Sequence, residues 1–107
     1  MSVIIVQNES QKQQAFQIRH TVFVEEQNVP EDIEMDEFDA EAIHFLCYDA
    51  GKPIGASRLR FVADAGKLER LCILKEYRGK SYGKQMIAKM EEEIKKHGYE
   101  KALLHAQ

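Results

Sequence analysis

The stretch Leu68-Glu69-Arg70-Leu71-Cys72-Ile73-Leu74, followed by Lys75-Glu76-Tyr77-Arg78-Gly79-Lys80-Ser81-Tyr82-Gly83-Lys84, constrains the fold of this chain more than any other. Its first half reads as an apolar strand. Its second half is a short basic loop that opens an amphipathic pattern. Tyr82, Met86, Met90 and Ile94 recur every fourth residue with Ile87 beside them, and Lys84, Lys89, Glu92, Lys95 and Lys96 lie opposite. His97-Gly98 closes this helix, with glycine where a C-cap is expected. Ala102 to Ala106 then reads as another strand. Two strands joined through a helical crossover run parallel, so residues 68–106 predict a β-α-β unit.

A strand that enters a helix through a basic loop aims unpaired backbone N–H groups and a positive helix end at one spot. That combination holds a phosphate or pyrophosphate. Gly79 and Gly83 alone are a weak signal; the order of strand, basic loop and helix carries the reading.

Upstream, Val3 to Val6 predicts a first strand. Ser10-Gln11-Lys12-Gln13 has the form of a capping box. Ala15, Ile18, Val22 and Phe16, Arg19, Phe23 fall on adjacent helical rows, so a helix is expected to about Gln27. Beyond Pro30, residues 31–41 hold seven acidic side chains and no basic one. Ile43–Tyr48 and Ile54–Val62 read as strands, with turns at Asp49-Ala50-Gly51-Lys52-Pro53 and Asp64-Ala65-Gly66-Lys67. The short turns join strands two to four as an antiparallel meander. The predicted class is α/β, with a mixed, twisted sheet.

With 107 residues, the chain is the size of one domain, residues 1–107. Its 44% hydrophobic and 31% charged residues suit a soluble globular protein, and a net charge of −3 argues against nucleic acid as a partner. The apolar runs are too short to span a membrane, and Met1–Gln7 lacks the basic and long apolar regions of a secretory signal. Cys47 and Cys72 lie in separate apolar strands, which suits reduced core thiols and a cytoplasmic location. The acidic segment lacks the glycine and spacing of a calcium loop, and no metal site is expected.

These parts together resemble the GNAT superfamily of acetyl-CoA-dependent N-acetyltransferases. The family signature, Arg/Gln-x-x-Gly-x-Gly/Ala, aligns with Arg78-Gly79-Lys80-Ser81-Tyr82-Gly83. A second stretch of likeness runs through Ile18-Arg19-His20-Thr21-Val22-Phe23-Val24-Glu25-Glu26-Gln27, then Glu34-Met35-Asp36-Glu37, His44 and Gly55-Ala56-Ser57-Arg58-Leu59. That combination is similar to the small bacterial ElaA/YjcF-like branch. Two departures stand out. Ser81 occupies the place of the first signature glycine, where its side chain either crowds a pyrophosphate or donates to it. Family domains also continue past the fifth strand with another helix and two strands, so the resemblance implies that the C-terminal part of the domain is absent. An open strand edge would favour self-association, for example as a homodimer.

The resemblance implies a cofactor site and an acceptor site. Arg78, Gly79, Lys80, Ser81, Tyr82, Gly83 and Lys84 would hold the pyrophosphate of acetyl-CoA, and the backbone of Leu71, Cys72 and Ile73 would pair with the pantetheine arm. Glu69 is the candidate general base, acting through water, or else an ion-paired carboxylate. His105 is the second candidate catalytic residue, placed to touch substrate, or else a structural histidine. Arg58, charged in an apolar strand, would meet an acidic substrate group or pair with an internal carboxylate. Glu26 is a candidate substrate residue, or braces the first helix against the loop, as Arg19 does. The acidic segment either attracts a cationic amine or is a solvated loop. Cys72 as an acyl-carrying nucleophile is disfavoured because burial raises a thiol's pKa. The implied activity is direct transfer of an acetyl group to a primary amine on a small molecule or peptide. The alternatives are another acyl donor, as in acyl-homoserine-lactone synthases, or a non-catalytic CoA-binding module.

Overall fold

A computed structural model describes residues 1–104. Five strands, β1 Ser2–Ile5, β2 Ile43–Asp49, β3 Lys52–Val62, β4 Ala65–Ile73 and β5 Lys101–Leu104, form one sheet in the order β1-β2-β3-β4-β5. The first four pair antiparallel as a meander, and β4 and β5 run parallel, so the sheet is mixed as the pattern of turns and crossover requires. Ala50 and Gly51, at φ 52° and 80°, make the β2–β3 turn. Positive φ at both central residues matches the twist of the flanking strands. The next turn is tighter than the sequence suggests. It sits at Ala63-Asp64, and β4 already begins at Ala65.

The helices α1 Glu9–Arg19 and α3 Tyr82–Lys96 cover opposite faces of the sheet, and a single helical turn, α2, spans Glu31–Glu34. α1 and the turns that continue it to Glu26 lay Ala15, Ile18, Val22 and Phe23 against Leu46, Ala56 and Cys72. α3 lays Met86, Met90 and Ile94 against Phe45, Ile54, Leu59 and Leu68, as its fourfold spacing predicts. Each of these large side chains, fully buried, contributes roughly 1.5–3 kcal/mol from transfer out of water. Cys47 and Cys72 are both buried free thiols, one in each layer.

Three local features depart from the expected pattern. The cap of α1 is Asn8, not Ser10: the Asn8 side chain accepts from the Gln11 N–H at 2.8 Å, and Gln11 Oε1 accepts from the Gln7 N–H at 2.7 Å. Asn8 is a strong cap two residues earlier in the chain. The helix expected to run to Gln27 changes at His20 into π-helical turns over His20–Glu26. The segment ends at Asn28 in the left-handed region, φ 60°, a conformation asparagine tolerates. Residues 31–41 are ordered by α2 and by a 3₁₀ turn at Glu37–Ala40.

The fourth feature positions the site. Arg58 pairs with Glu69 and Ala56 with Cys72, so Arg70 and Leu71 together oppose Ser57. This is a β-bulge with Arg70 at φ 56°. The extra residue shifts the alternation. Leu68 packs toward α3 before the bulge, and Leu71 and Ile73 do so after it, while Cys72 turns to the α1 layer.

Candidate functional site

The bulge, the end of β4 and the start of α3 surround a groove of about 250 Å³. Leu71, Cys72 and Ile73 form its floor, Val22 and Gln27 its helix wall, and Arg78 and Gly83 its loop wall. Among the described residues, β5 pairs with β4 only from Ala65 to Leu68. The backbone of Leu71–Ile73 therefore has no β5 partner in this range. A 3₁₀ turn at Lys75–Tyr77 leads from β4 into the loop.

The loop is shaped for backbone donation. Gly79 and Ser81 both take left-handed conformations, φ 82° and 67°. Ser81 is the N-cap of α3 and makes no side-chain capping bond. The first N–H groups of a helix have no acceptor within it, and here no side chain caps them. Gly83 follows in the first helical turn, and a Cβ built there meets nothing within 4 Å. Neither positive φ nor protein packing demands glycine at this position, so the missing side chain leaves open space beside the free N–H groups. The positive φ of Ser81 also gives a reason for glycine at that signature position: a non-glycine residue there is strained by about 1 kcal/mol.

Beside the groove lies a cluster of buried charge that draws on five parts of the chain. Arg19 of α1 donates to Glu34 Oε1 at 2.6 Å and Asp39 Oδ1 at 2.7 Å. Arg58 of β3 reaches Asp36 at 2.6 Å, Asp39 at 3.1 Å and Glu69 at 3.0 Å. Arg60 takes both oxygens of Glu69, at 2.7 and 3.1 Å. The bulge turns Arg70 onto the acidic segment, where it donates to the Ile33 and Glu34 carbonyls and to Asp36, each at 3.2 Å. His44 Nε2 lies 2.8 Å from the Asp39 carbonyl, which makes that nitrogen the donor. The acidic segment is thus two-sided: Glu34 and Asp39 are buried in ion pairs, while Glu31, Asp32 and Glu37 face solvent.

Burial alone would push these carboxyls up, but their arginine partners hold Asp39 and Glu69 down at about 2. Arg58 and Arg19 are raised despite burial, because the same carboxylates favour their charged forms. Burial lowers the pKa of His44, keeping it neutral against the pull of Asp39. Burial also pushes the Cys72 thiol up to about 12, and its Sγ contacts the Ala56 carbonyl at 3.6 Å. A thiol in that state supplies almost no thiolate at neutral pH, which removes the basis for a Cys72 acyl carrier.

The structure brings together Leu71, Cys72, Ile73, Arg78 and Gly83 at the groove, with Gly79, Lys80, Ser81, Tyr82 and Lys84 on the adjoining loop and helix start. Arg58 is 2% exposed and pairs with internal carboxylates, which leaves it no face for a substrate. Glu26 forms a bidentate pair with Arg78 across the groove, at 2.6 and 2.7 Å. His105 lies outside the described residues. The charge cluster was foreshadowed only by an arginine in an apolar strand and an acidic run elsewhere. Their pairing across 19 to 22 residues needs the fold. Among the described residues there is no group of three side chains suited to a metal, and no helix is long and apolar enough to cross a membrane.

A meander leading into a β-α-β unit through a basic loop at a helix start is the architecture of an acetyltransferase-type domain. The acetyltransferase (GNAT) family pattern matches residues 12–107, and the chain belongs to that family of enzymes. An uncharacterised N-acetyltransferase, YjcF, of Bacillus subtilis is 41% identical over 107 residues, covering all of this chain and 76% of the relative. A solved structure described as an N-acetyltransferase from Lactobacillus plantarum superposes with a TM-score of 0.91 at 28% identity, covering 99% of this chain and 75% of that one. Escherichia coli ElaA superposes with a TM-score of 0.83 at 26% identity, over 100% and 78% of the two chains.

Proposed function

We propose that the groove binds acetyl-CoA and that the chain's chemistry is transfer of the acetyl group to a primary amine. The observation that carries this reading is Gly83. In this fold it has no packing reason to lack a side chain, and it stands beside the free N–H groups of a helix start on a basic loop. Room for close backbone approach is what a pyrophosphate needs there. Lys80 and Lys84 add charge, and Arg78 is a third cation at the rim.

In this reading the pantetheine arm lies along Leu71–Ile73 as an added strand. The acceptor's neutral amine attacks the thioester carbonyl, the C–S bond breaks, CoA leaves as the thiolate, and the proton the amine loses passes through solvent to that sulfur, which gives the thiol. A backbone N–H near the bulge would stabilise the oxyanion. We assign Glu69 to anchoring the bulge rather than to proton transfer. Two arginines occupy its carboxylate, and a base held at about 2 has little drive to take a proton at neutral pH. The ordered acidic segment beside the bulge would form one wall of the acceptor site.

Calorimetric titration with CoA tests the reading. The parent is expected to bind. Arg78→Ala should lose about tenfold or more, the worth of one charge-assisted contact of roughly 1.5–3 kcal/mol. Gly83→Ala should fold normally yet lose affinity, because its methyl group enters the cradle. An unchanged affinity in Gly83→Ala, or no binding by the parent, overturns the assignment.

A further inference from the structure

One ion pair spans the groove from wall to wall. Glu26 is the last residue of the π-helical segment and precedes Gln27 on the helix wall, while Arg78 belongs to the loop wall. The two meet in a bidentate bridge, Nη1–Oε2 at 2.6 Å and Nη2–Oε1 at 2.7 Å. The remaining nitrogen of Arg78, Nε, donates to the Ile73 carbonyl at 2.9 Å. One guanidinium thus ties the first helix, the end of β4 and the phosphate loop together.

Each of these contacts uses a group that the bound cosubstrate needs. The N–H groups facing Glu26 match a phosphate's bidentate geometry as well as a carboxylate's. The Ile73 carbonyl is one of the β4 groups to which an extended arm would bond. The bridge is also placed to open. Its side chains are 40% and 35% exposed, and an exposed pair adds little to stability. Arg19 and Arg58, by contrast, are held by two or more carboxylates each and are sealed from solvent.

We propose that Glu26 is an internal competitor for the cosubstrate's phosphate: its carboxylate occupies Arg78 and bars the groove until phosphate displaces it. The proposal rests on the reading that the groove binds CoA. When phosphate arrives, Arg78 exchanges one anion for another, and the Ile73 carbonyl is released as the guanidinium swings. Glu26 therefore sets the affinity and entry rate of the cosubstrate without contacting the acceptor.

The test is CoA binding to Glu26→Gln, by calorimetry and stopped-flow. Glutamine keeps the shape and removes the charge. Affinity should rise about three- to tenfold, mainly through faster association, because a repelling carboxylate leaves a basic rim. Glu26→Ala should behave alike. In an Arg78→Ala background, Glu26→Gln should have no effect, since Glu26 acts through Arg78. Equal or weaker CoA binding by Glu26→Gln, with the parent binding normally, would show that Glu26 positions Arg78 rather than competing for it. Failure of the parent to bind CoA overturns the groove assignment and this proposal together.

Discussion

The basic loop before α3 and the buried charge cluster lie on either side of one bulge in β4, yet they are built in opposite ways. The loop is continuous in sequence, exposed, and offers uncapped backbone N–H groups at the start of α3. The cluster gathers Arg19, Glu34, Asp36, Asp39, Arg58, Arg60, Glu69 and Arg70 from distant segments and works through side chains. A backbone site tolerates varied side chains as long as the turn keeps its shape. A buried side-chain cluster tolerates almost nothing, because each charge depends on its partners to remain ionised out of water. The loop's order of strand, turn and helix could therefore be read directly. The meaning of Glu69 could not, since its partners on β3 are unknown until the strands are in register.

The largest effect that would separate the two regions is expected from Arg58→Met. Removing this hub leaves Asp36, Asp39 and Glu69 short of a partner, and breaking a buried pair from one side destabilises by about 3–5 kcal/mol. Urea unfolding measures the loss. CoA affinity of the folded variant should stay within about twofold of the parent; a parallel fall would mean that the cluster and the groove act as one unit.

Acid should dismantle the cluster next. Asp39 and Glu69 titrate near 2 in the folded chain, below their ordinary values. Their stabilisation is complete above the unfolded carboxyl range and is lost as pH falls from about 5 toward 2, by about 2–3 kcal/mol for each group taken singly. His44 starts the decline earlier. Its folded pKa is lowered, so the unfolded chain binds the proton first as pH drops through about 6.5. Stability measured by urea unfolding across pH 8 to 3 should show both steps. A flat profile would contradict the pairing described here.

The smallest effect lies in the loop. Ser81→Gly relieves a left-handed serine, φ 67°, and should raise stability by about 1 kcal/mol while CoA binding is kept or improved. A marked loss of CoA binding would instead make the Ser81 hydroxyl a phosphate donor.

Particular residues show where the reading of the sequence held and where it stopped. The fourfold apolar spacing of α3 places Met86, Met90 and Ile94 in the core, because a helix face needs only its own period to be recognised. The capping signal was misplaced by two residues, since Asn8 and Ser10 are both competent caps and the entering strand selects between them. The π-helical turns after Arg19 had no local mark. Arg70 gives no hint of a left-handed bulge either, for nothing in its type favours that conformation. The bulge exists because Ser57 must face two residues while Arg58 still meets Glu69.

By itself, the sequence determined the period of each element, the meander, the parallel return through α3 and the basic loop at its start. These follow from local preference and from the short reach of turns. Only the tertiary structure decided that Glu69 is an anchored carboxylate, that the acidic segment has a buried side, and that Glu26 spans the groove to Arg78. Those outcomes depend on which distant charges share a low-dielectric interior or a groove rim, and charge pairing at a distance leaves no periodic trace in the chain.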